Sequence, residues 1–366
     1  MTLKTPAGKP RFRSLGVELP GRPGPFNAIT DVPGVAVGYT TLVSGESVRT
    51  GVTAILPRPH ETVAHPCAAG WYSLNGNGEM TGTTWLTETG ALSLPVLITN
   101  THAVGPCHRG VIDWVAAKKP DGAHEWLLPV IAETWDGYLN DINAPTVQPA
   151  HAMAAIEAAA TGAIEEGSVG GGTGMNCYGF KGGSGTASRL VSHGPREYTV
   201  GAFVQANFGS RRELTVAGNP VGALLADDNP LEDWTVAQAG AGSVIVVLAT
   251  DAPLLPGQCT ALTRRVPLGL ARTGTSGSHF SGDVFLAFST ANEGALTSGF
   301  PAEPGGFETL RFVPWGLMDS FYEAVVQAVE EAVLNALTAN ETMTGREGHR
   351  TPHLPRERLV ELLRVS

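Results

Sequence analysis

Between residues 244 and 248 the chain reads Val-Ile-Val-Val-Leu, apolar at every position rather than at every second one. An unbroken run of this kind predicts a strand buried on both faces, as when a sheet lies between a second sheet and a layer of helices. Further strand-like runs stand at 35–42, 51–57, 94–101, 125–133, 198–209 and 282–290, with turn clusters such as Asn75-Gly76-Asn77-Gly78 between them. Helical spacing takes over at 109–119, where Val111, Trp114 and Val115 share a face, and in the Ala-rich stretch 150–167, which Gly167 stops. Residues 256–273 also read as a helix. The longest predicted helix covers 316–339, with Phe321, Val325, Val329, Val333 and Leu337 in one wide stripe. Hairpins are mixed with helices instead of alternating as βαβ repeats, so the pattern predicts a layered α+β fold rather than a doubly wound parallel sheet.

Composition narrows the function. The chain has 366 residues, 42% of them apolar and 16% charged, enough for one large multilayer domain and too few charges for long disordered tracts. A net charge of −10 speaks against nucleic acid or an anionic membrane as partner. No stretch reaches the roughly 18 consecutive apolar residues of a membrane span. Residues 1–26 are basic and rich in Pro and Gly, and read as an extended arm without the apolar segment of a secretory signal. Cys67, Cys107, Cys177 and Cys259 are far apart with no CxxC spacing, which predicts buried thiols in a cytoplasmic protein rather than a zinc site or disulfides.

The apolar strand begins abruptly. Ala239-Gly240-Ala241-Gly242 leads straight into Ser243. A serine tying up a loose backbone group at a turn is one explanation. Another is that the Gly242–Ser243 bond is cut. Ser243 would then carry a free α-amine, with a model-peptide pKa of about 7.7–8.0, next to its own hydroxyl as a local base. The glycine would ease the unusual backbone geometry of an N→O acyl shift.

Several longer stretches favour the second explanation. "GSVIVVLATDAPLLP", "VQANFGSRRELTVAGNPVG" (204–222) and "SGSHFSGDVFLAFSTAN" (276–292) resemble the DmpA-type aminopeptidases, the L-aminopeptidase/D-esterase-amidases and β-peptidyl aminopeptidases. So do "NAITDVPGVAVGYTT" (27–41), "GVTAILPRP" (51–59), "NGNGEMTG" (75–82), "VIAETWDGYLNDIN" (130–143) and the Gly-rich stretch 170–189, in the expected order. The resemblance implies a four-layer αββα sandwich of the DmpA/ornithine acetyltransferase type, resembling N-terminal-nucleophile hydrolases. It implies cleavage at Gly242–Ser243 into an α chain, 1–242, and a β chain, 243–366. The catalytic domain would span 27–340, with 341–366 as a C-terminal extension ending in a short helix available to a neighbouring subunit. A homo-oligomer, commonly a tetramer, is also implied.

By the same resemblance Ser243 is the nucleophile, supported by Ser281 and Asp283, and Asn207 is the oxyanion donor. Some family members carry a glutamate where Asp283 stands, one methylene longer. The Ser-x-Asp spacing puts both side chains on one strand face. Glu133 matches the acid that meets the substrate's free amine, since a charged ammonium in a closed pocket must be paired. Trp135 falls at a bulky pocket position. Substrates would be short peptides, amino-acid amides or esters, with no metal or organic cofactor. An endo-acting amidase of the nylon-oligomer type and an acyltransferase of the ornithine acetyltransferase type are the alternatives, but both expect threonine where this chain has Ser243. A binding protein without turnover is a third alternative, disfavoured by the joint presence of these five polar residues. The glycines at 167–174 follow a helix and lack a Walker lysine, so they read as close-packed backbone rather than a phosphate loop. His102 and His108 have no third ligand nearby in the sequence.

Overall fold

The computed structural model describes residues 2–62, 64–119, 125–232, 234, 242–297 and 305–365. Ala36–Ser44 (β1) and Val48–Leu56 (β2) form an antiparallel hairpin. Cys67–Ser73 (β3), helix Thr83–Thr89 (α1) and Ala91–Leu92 (β4) follow. Val96–Asn100 (β5) leads into helix Val104–Lys118 (α2), strand Val130–Thr134 (β6) and helix Pro149–Glu157 (α3). Two short strands, Asn176–Cys177 (β7) and Phe180–Lys181 (β8), precede the long hairpin of Gly183–His193 (β9) and Arg196–Asn207 (β10). A small ribbon, Thr215–Val216 (β11) with Asn219–Pro220 (β12), comes before Gly242–Thr250 (β13). Helices Pro256–Thr263 (α4) and Val266–Ala271 (α5) separate β13 from Ser281–Ser289 (β14). Helix Asp319–Thr338 (α6), strands Met343–Thr344 (β15) and Arg350–Thr351 (β16), and helix Arg356–Val365 (α7) end the chain.

The strands build two main sheets, one in the order β1-β2-β5-β6 and one in the order β4-β3-β14-β13-β10-β9. Ile55, Ile98 and Ala132 of the first meet Ile245, Val247, Leu286 and Phe288 of the second in a shared core. Helices α2 and α3 cover the outer face of the four-stranded sheet, with Val111, Trp114 and Ile156 against Val52, Leu97 and Ile131. Helices α4, α5 and α6 cover the other sheet, where Cys259, Leu270, Val325 and Val329 meet Val244, Val246, Leu248 and Phe285. This is the αββα sandwich. The unbroken run of β13 now has its reason: Ile245 and Val247 face the other sheet while Val244, Val246 and Leu248 face helices. Each such side chain fully removed from water contributes about 1.5–3 kcal/mol.

Local differences from the sequence pattern have physical causes. The helix expected over 150–167 stops at Glu157, because Ala160 instead exchanges backbone hydrogen bonds with Val37 of β1, at 3.0 and 3.1 Å. Pro267, which lacks an N–H, starts a new helix and splits the one expected over 256–273. The strand expected at 125–133 begins only at Val130, after Pro129. Strand β9 was hidden inside the Gly- and Ser-rich stretch. Its small residues let α6 pass closely: a Cβ on Gly185 would collide with the Ala332 carbonyl.

The basic N-terminal arm is tied into the core. Arg11, almost fully buried, binds Glu166 at 2.6 Å and donates to the Asn27 and Thr186 carbonyls. Glu331 on α6 accepts from Arg13 at 2.7 and 2.8 Å, from Arg189 at 2.7 Å and from Asn27 at 2.6 Å. Burial alone would raise the Glu331 carboxyl, but Arg13 and Arg189 hold it below the usual carboxylate range. At the other terminus, Leu359 of α7 is buried in the core of its own chain. All four cysteines are free and buried, as expected, and burial pushes the Cys67 thiol up to about 11.

Glu331→Gln would leave the buried Arg189 guanidinium and the partly buried Arg13 guanidinium without their counter-charge. It should cost about 3–5 kcal/mol, read as a clear fall in the calorimetric unfolding temperature. An unchanged temperature would show that the network does not anchor the arm.

Candidate active site

Strand β13 runs parallel to β14 and antiparallel to β10. The first residues of β13 and β14 therefore meet the last residues of β10 at one edge of the sheet. Ser243 pairs with Asn207 on one side and with Gly282 on the other. Both Ser243 and Asn207 share strand parity with residues of the inter-sheet core, Ile245 and Phe203, so their side chains lie on the same face. Ser243 is 2% exposed and lines a cavity of about 550 Å³ together with Glu133, Trp135, Asn207 and Gly242. The residue before the serine has no room for a side chain, since a Cβ on Gly242 would collide with the Asn207 carbonyl.

The turn after β6 joins this edge from the other sheet. Gln205 of β10 crosses the interior to Thr99 of β5 and Thr134 of β6, at 3.2 and 2.6 Å. The next residue, Trp135, donates its backbone N–H to Ser243 Oγ at 3.2 Å. Its carbonyl accepts from Asn207 Nδ2 at 2.9 Å. Asn207 Oδ1 in turn accepts from the Asn176 N–H at 2.8 Å. A backbone N–H can only donate and a carbonyl can only accept, so the two contacts fix which way the Asn207 amide faces. Each carboxamide nitrogen carries two N–H bonds, and one of those on Asn207 remains available to an oxyanion.

Glu133 is 2% exposed at the end of β6. The Glu79 N–H donates to its Oε1 at 2.9 Å, and the Thr101 hydroxyl makes a short bond to Oε2. Burial pushes this carboxyl above the usual range, and the two donors only partly offset it. A buried anion facing a cavity, with no cationic side chain bonded to it among the described residues, suits an incoming ammonium.

Ser281 and Asp283 form a tight pair one strand away. Ser281 Oγ donates to Asp283 Oδ1 at 2.5 Å, and Asn75 Nδ2 donates to Asp283 Oδ2 at 3.1 Å. Neither side chain bonds to the Ser243 hydroxyl. The alternation of β14 explains this: Ser281 and Asp283 share parity with Phe285, which faces the helices, whereas the Ser243 hydroxyl shares the inter-sheet side. The link runs through the backbone instead, with Asp283 paired to Val244. Burial raises the Asp283 carboxyl above its ordinary value, against the pull of Ser281, Asn75 and the Val244 N–H.

Sequence reasoning missed part of the cavity wall. Trp135 stacks on Trp234 at 5.6 Å between centroids, Tyr138 meets Trp234 edge-on at 5.1 Å, and His349 stacks on Tyr138 at 4.6 Å. Nothing in the local sequence links residues this far apart. Asn75, whose side chain donates to the Asp283 carboxylate and accepts from the Asp283 backbone N–H, stands in the sequence pattern only as a turn residue. The glycine stretch behaves as close-packed backbone, and residues 239–241 before the serine lie outside the described residues.

Comparison with known proteins agrees with this arrangement. The β-peptidyl aminopeptidase BapA of Sphingosinicella microcystinivorans is 48% identical, over 97% of this chain and 92% of the relative. The solved L-aminopeptidase D-Ala-esterase/amidase of Ochrobactrum anthropi, described as a prototype of the serine aminopeptidases with a variant Ntn hydrolase fold, superposes with a TM-score of 0.91. It is 44% identical, covering 98% of this chain and 99% of its own. A Burkholderia sp. β-aminopeptidase matches with a TM-score of 0.89 at 44% identity, over 97% of this chain and 98% of its own. Residues 27–351 match the profile of peptidase family S58, and the chain belongs to that family.

Proposed function

We propose that the protein is a self-processing serine aminopeptidase that removes N-terminal residues from short peptides, amino-acid amides and esters through Ser243. The observation that carries the proposal is the meeting of Ser243, preceded by a glycine that tolerates no side chain, with Asn207 and Glu133 in one cavity. The β-peptidyl and D-Ala activities named for the relatives extend the proposal to β- and D-configured amino ends. An endo-acting amidase is less well supported, since Glu133 offers a buried anion to a free amine.

In the first stage Ser243 Oγ attacks the Gly242 carbonyl, and the amide becomes an ester as the Ser243 nitrogen leaves with a proton. Water hydrolyses that ester, which separates 1–242 from 243–366 and frees the Ser243 amine. In turnover this amine takes the hydroxyl proton as Oγ attacks the substrate carbonyl. The oxyanion is met by Asn207 Nδ2, with the Trp135 N–H beside it. The amine then returns the proton to the leaving group, and water releases the acyl product. Ser281 and Asp283 hold the new ammonium, Glu133 pairs with the substrate's ammonium, and Trp135 shapes the pocket wall. In this reading the catalytic domain is 27–340, and the protein acts in the cytoplasm as a homo-oligomer, a tetramer. Exposed Trp126, Leu224, Leu268 and Trp315 are candidate apolar contacts for assembly. Among the described residues no helix is long and apolar enough to cross a membrane.

Ser243→Ala should block both cleavage and hydrolysis, leaving one chain of 366 residues in denaturing mass spectrometry. Two fragments from the variant would move the nucleophile elsewhere. Glu133→Gln should raise KM for free-amine amides by about tenfold or more, the loss expected for one charge-assisted contact, and leave N-acetylated analogues unaffected. Equal effects on both substrates would remove the amine-binding role.

Acid pH gives a separate test. Because burial raises both Glu133 and Asp283, each takes up its proton at a higher pH than an ordinary carboxyl. Protonation removes the charge that each supplies, so kcat/KM, already falling as the Ser243 amine protonates, should steepen again at a pH below the amine limb and above the usual carboxylate range. The sign for stability is opposite: the cost of burying these two charges is present above their raised folded values and is relieved as pH falls through them. A second break lying at or below pH 4 would contradict these assignments.

A further inference from the structure

Lys181, on β8, is 0% exposed and forms no salt bridge among the described residues. Among the described residues its ammonium donates to two backbone carbonyls alone, Met175 O at 2.7 Å and Gly182 O at 2.9 Å. Packing alone does not call for this arrangement, because a methionine would fill similar volume without desolvating a charge. The Met175 carbonyl belongs to the same peptide group whose N–H, that of Asn176, holds Asn207 Oδ1 at 2.8 Å. A cation on the carbonyl oxygen draws electrons through the planar peptide, making its N–H a stronger donor and fixing the plane's rotation.

We propose that Lys181 is a positioning residue for the oxyanion hole, acting through the Met175–Asn176 peptide to orient and polarise the Asn207 carboxamide. The chain of contacts is short and directional: Lys181 Nζ to Met175 O, Asn176 N–H to Asn207 Oδ1, and Asn207 Nδ2 toward the Trp135 carbonyl beside Ser243. The surroundings hold the lysine in register. Its backbone N–H donates to Pro352 O at 2.7 Å, and Asn340 Nδ2 donates to its carbonyl at 3.2 Å. Burial lowers the Lys181 pKa to about 7; Lys9 and Asp136 act on it from a distance, in opposite directions. The inference rests on Asn207 being the oxyanion donor, as proposed above.

The test is a double-variant cycle with Lys181→Met and Asn207→Ala, followed by kcat and KM on one amino-acid amide. Lys181→Met should lower kcat about tenfold with KM within about twofold, as for a contact that matters only in the transition state. Asn207→Ala should lower kcat by about 10²–10³. In the Asn207→Ala background, adding Lys181→Met should change kcat by less than about twofold, because the lysine acts through the missing amide. Full additivity, or a KM effect without a kcat effect, would overturn the positioning role. If Asn207→Ala is fully active, the oxyanion assignment fails; if only Lys181→Met is fully active, this proposal alone fails. A variant that stays folded but uncut is scored by its rate of self-cleavage, with the same comparison. Should Lys181→Met fail to fold, Lys181→Gln, which retains an N–H donor, should show a smaller kcat loss that also vanishes without Asn207; a loss that persists would overturn the proposal.

Discussion

The parallel register of β13 with β14 is the constraint on which the site depends. In a sheet whose neighbouring pairs on either side are antiparallel, this pair brings two strand beginnings to the same edge. Antiparallel β10 delivers its last residue there as well. Ser243, Ser281, Asp283 and Asn207 are therefore neighbours because of strand direction, before any side chain makes a bond. Shifting β13 by one residue would turn Ser243 away from the inter-sheet face and break its pairing with Asn207.

The same constraint fixes the surroundings of the Gly242–Ser243 step, where the cut is proposed. Behind Ser243 the strand is buried on two faces, which would hold a terminus in place after the cut proposed there. In front of it, Gly242 fits against the Asn207 carbonyl only because it lacks a side chain. Gln205 ties β10 to Thr99 and Thr134, fixing the distance between the sheets just where Trp135 meets Ser243. Burial then sets the electrostatics. Glu133 and Asp283 are held above their ordinary range by desolvation, which favours pairing each with a positive group.

Much of this was legible in the sequence. The two-sided burial of 244–248 predicted a sheet between a sheet and helices, and that is where β13 lies. Motifs around Ser243, Ser281, Asp283, Asn207 and Glu133 identified residues that the fold brings to one region. What periodicity could not carry was strand-to-strand geometry. It placed Ser281 and Asp283 on one face but not on which face relative to the Ser243 hydroxyl, and the alternation of β14 puts them on the helix side. Nor could it find Lys181, Asn75 or the Trp234 stack, whose roles depend on contacts between distant segments. Strand β9 was missed because glycine and serine, chosen to let α6 approach, lack the β-branched signature of strands.

The most direct test of Ser243 as an N-terminal nucleophile is to trap the acyl-enzyme with a slowly turned-over ester and locate the adduct by tandem mass spectrometry. The account predicts an acyl group on the Ser243 hydroxyl, in a peptide whose first residue is Ser243 with a free α-amine. An adduct on Ser281 or any other residue, or on a Ser243 still joined to Gly242, would contradict it.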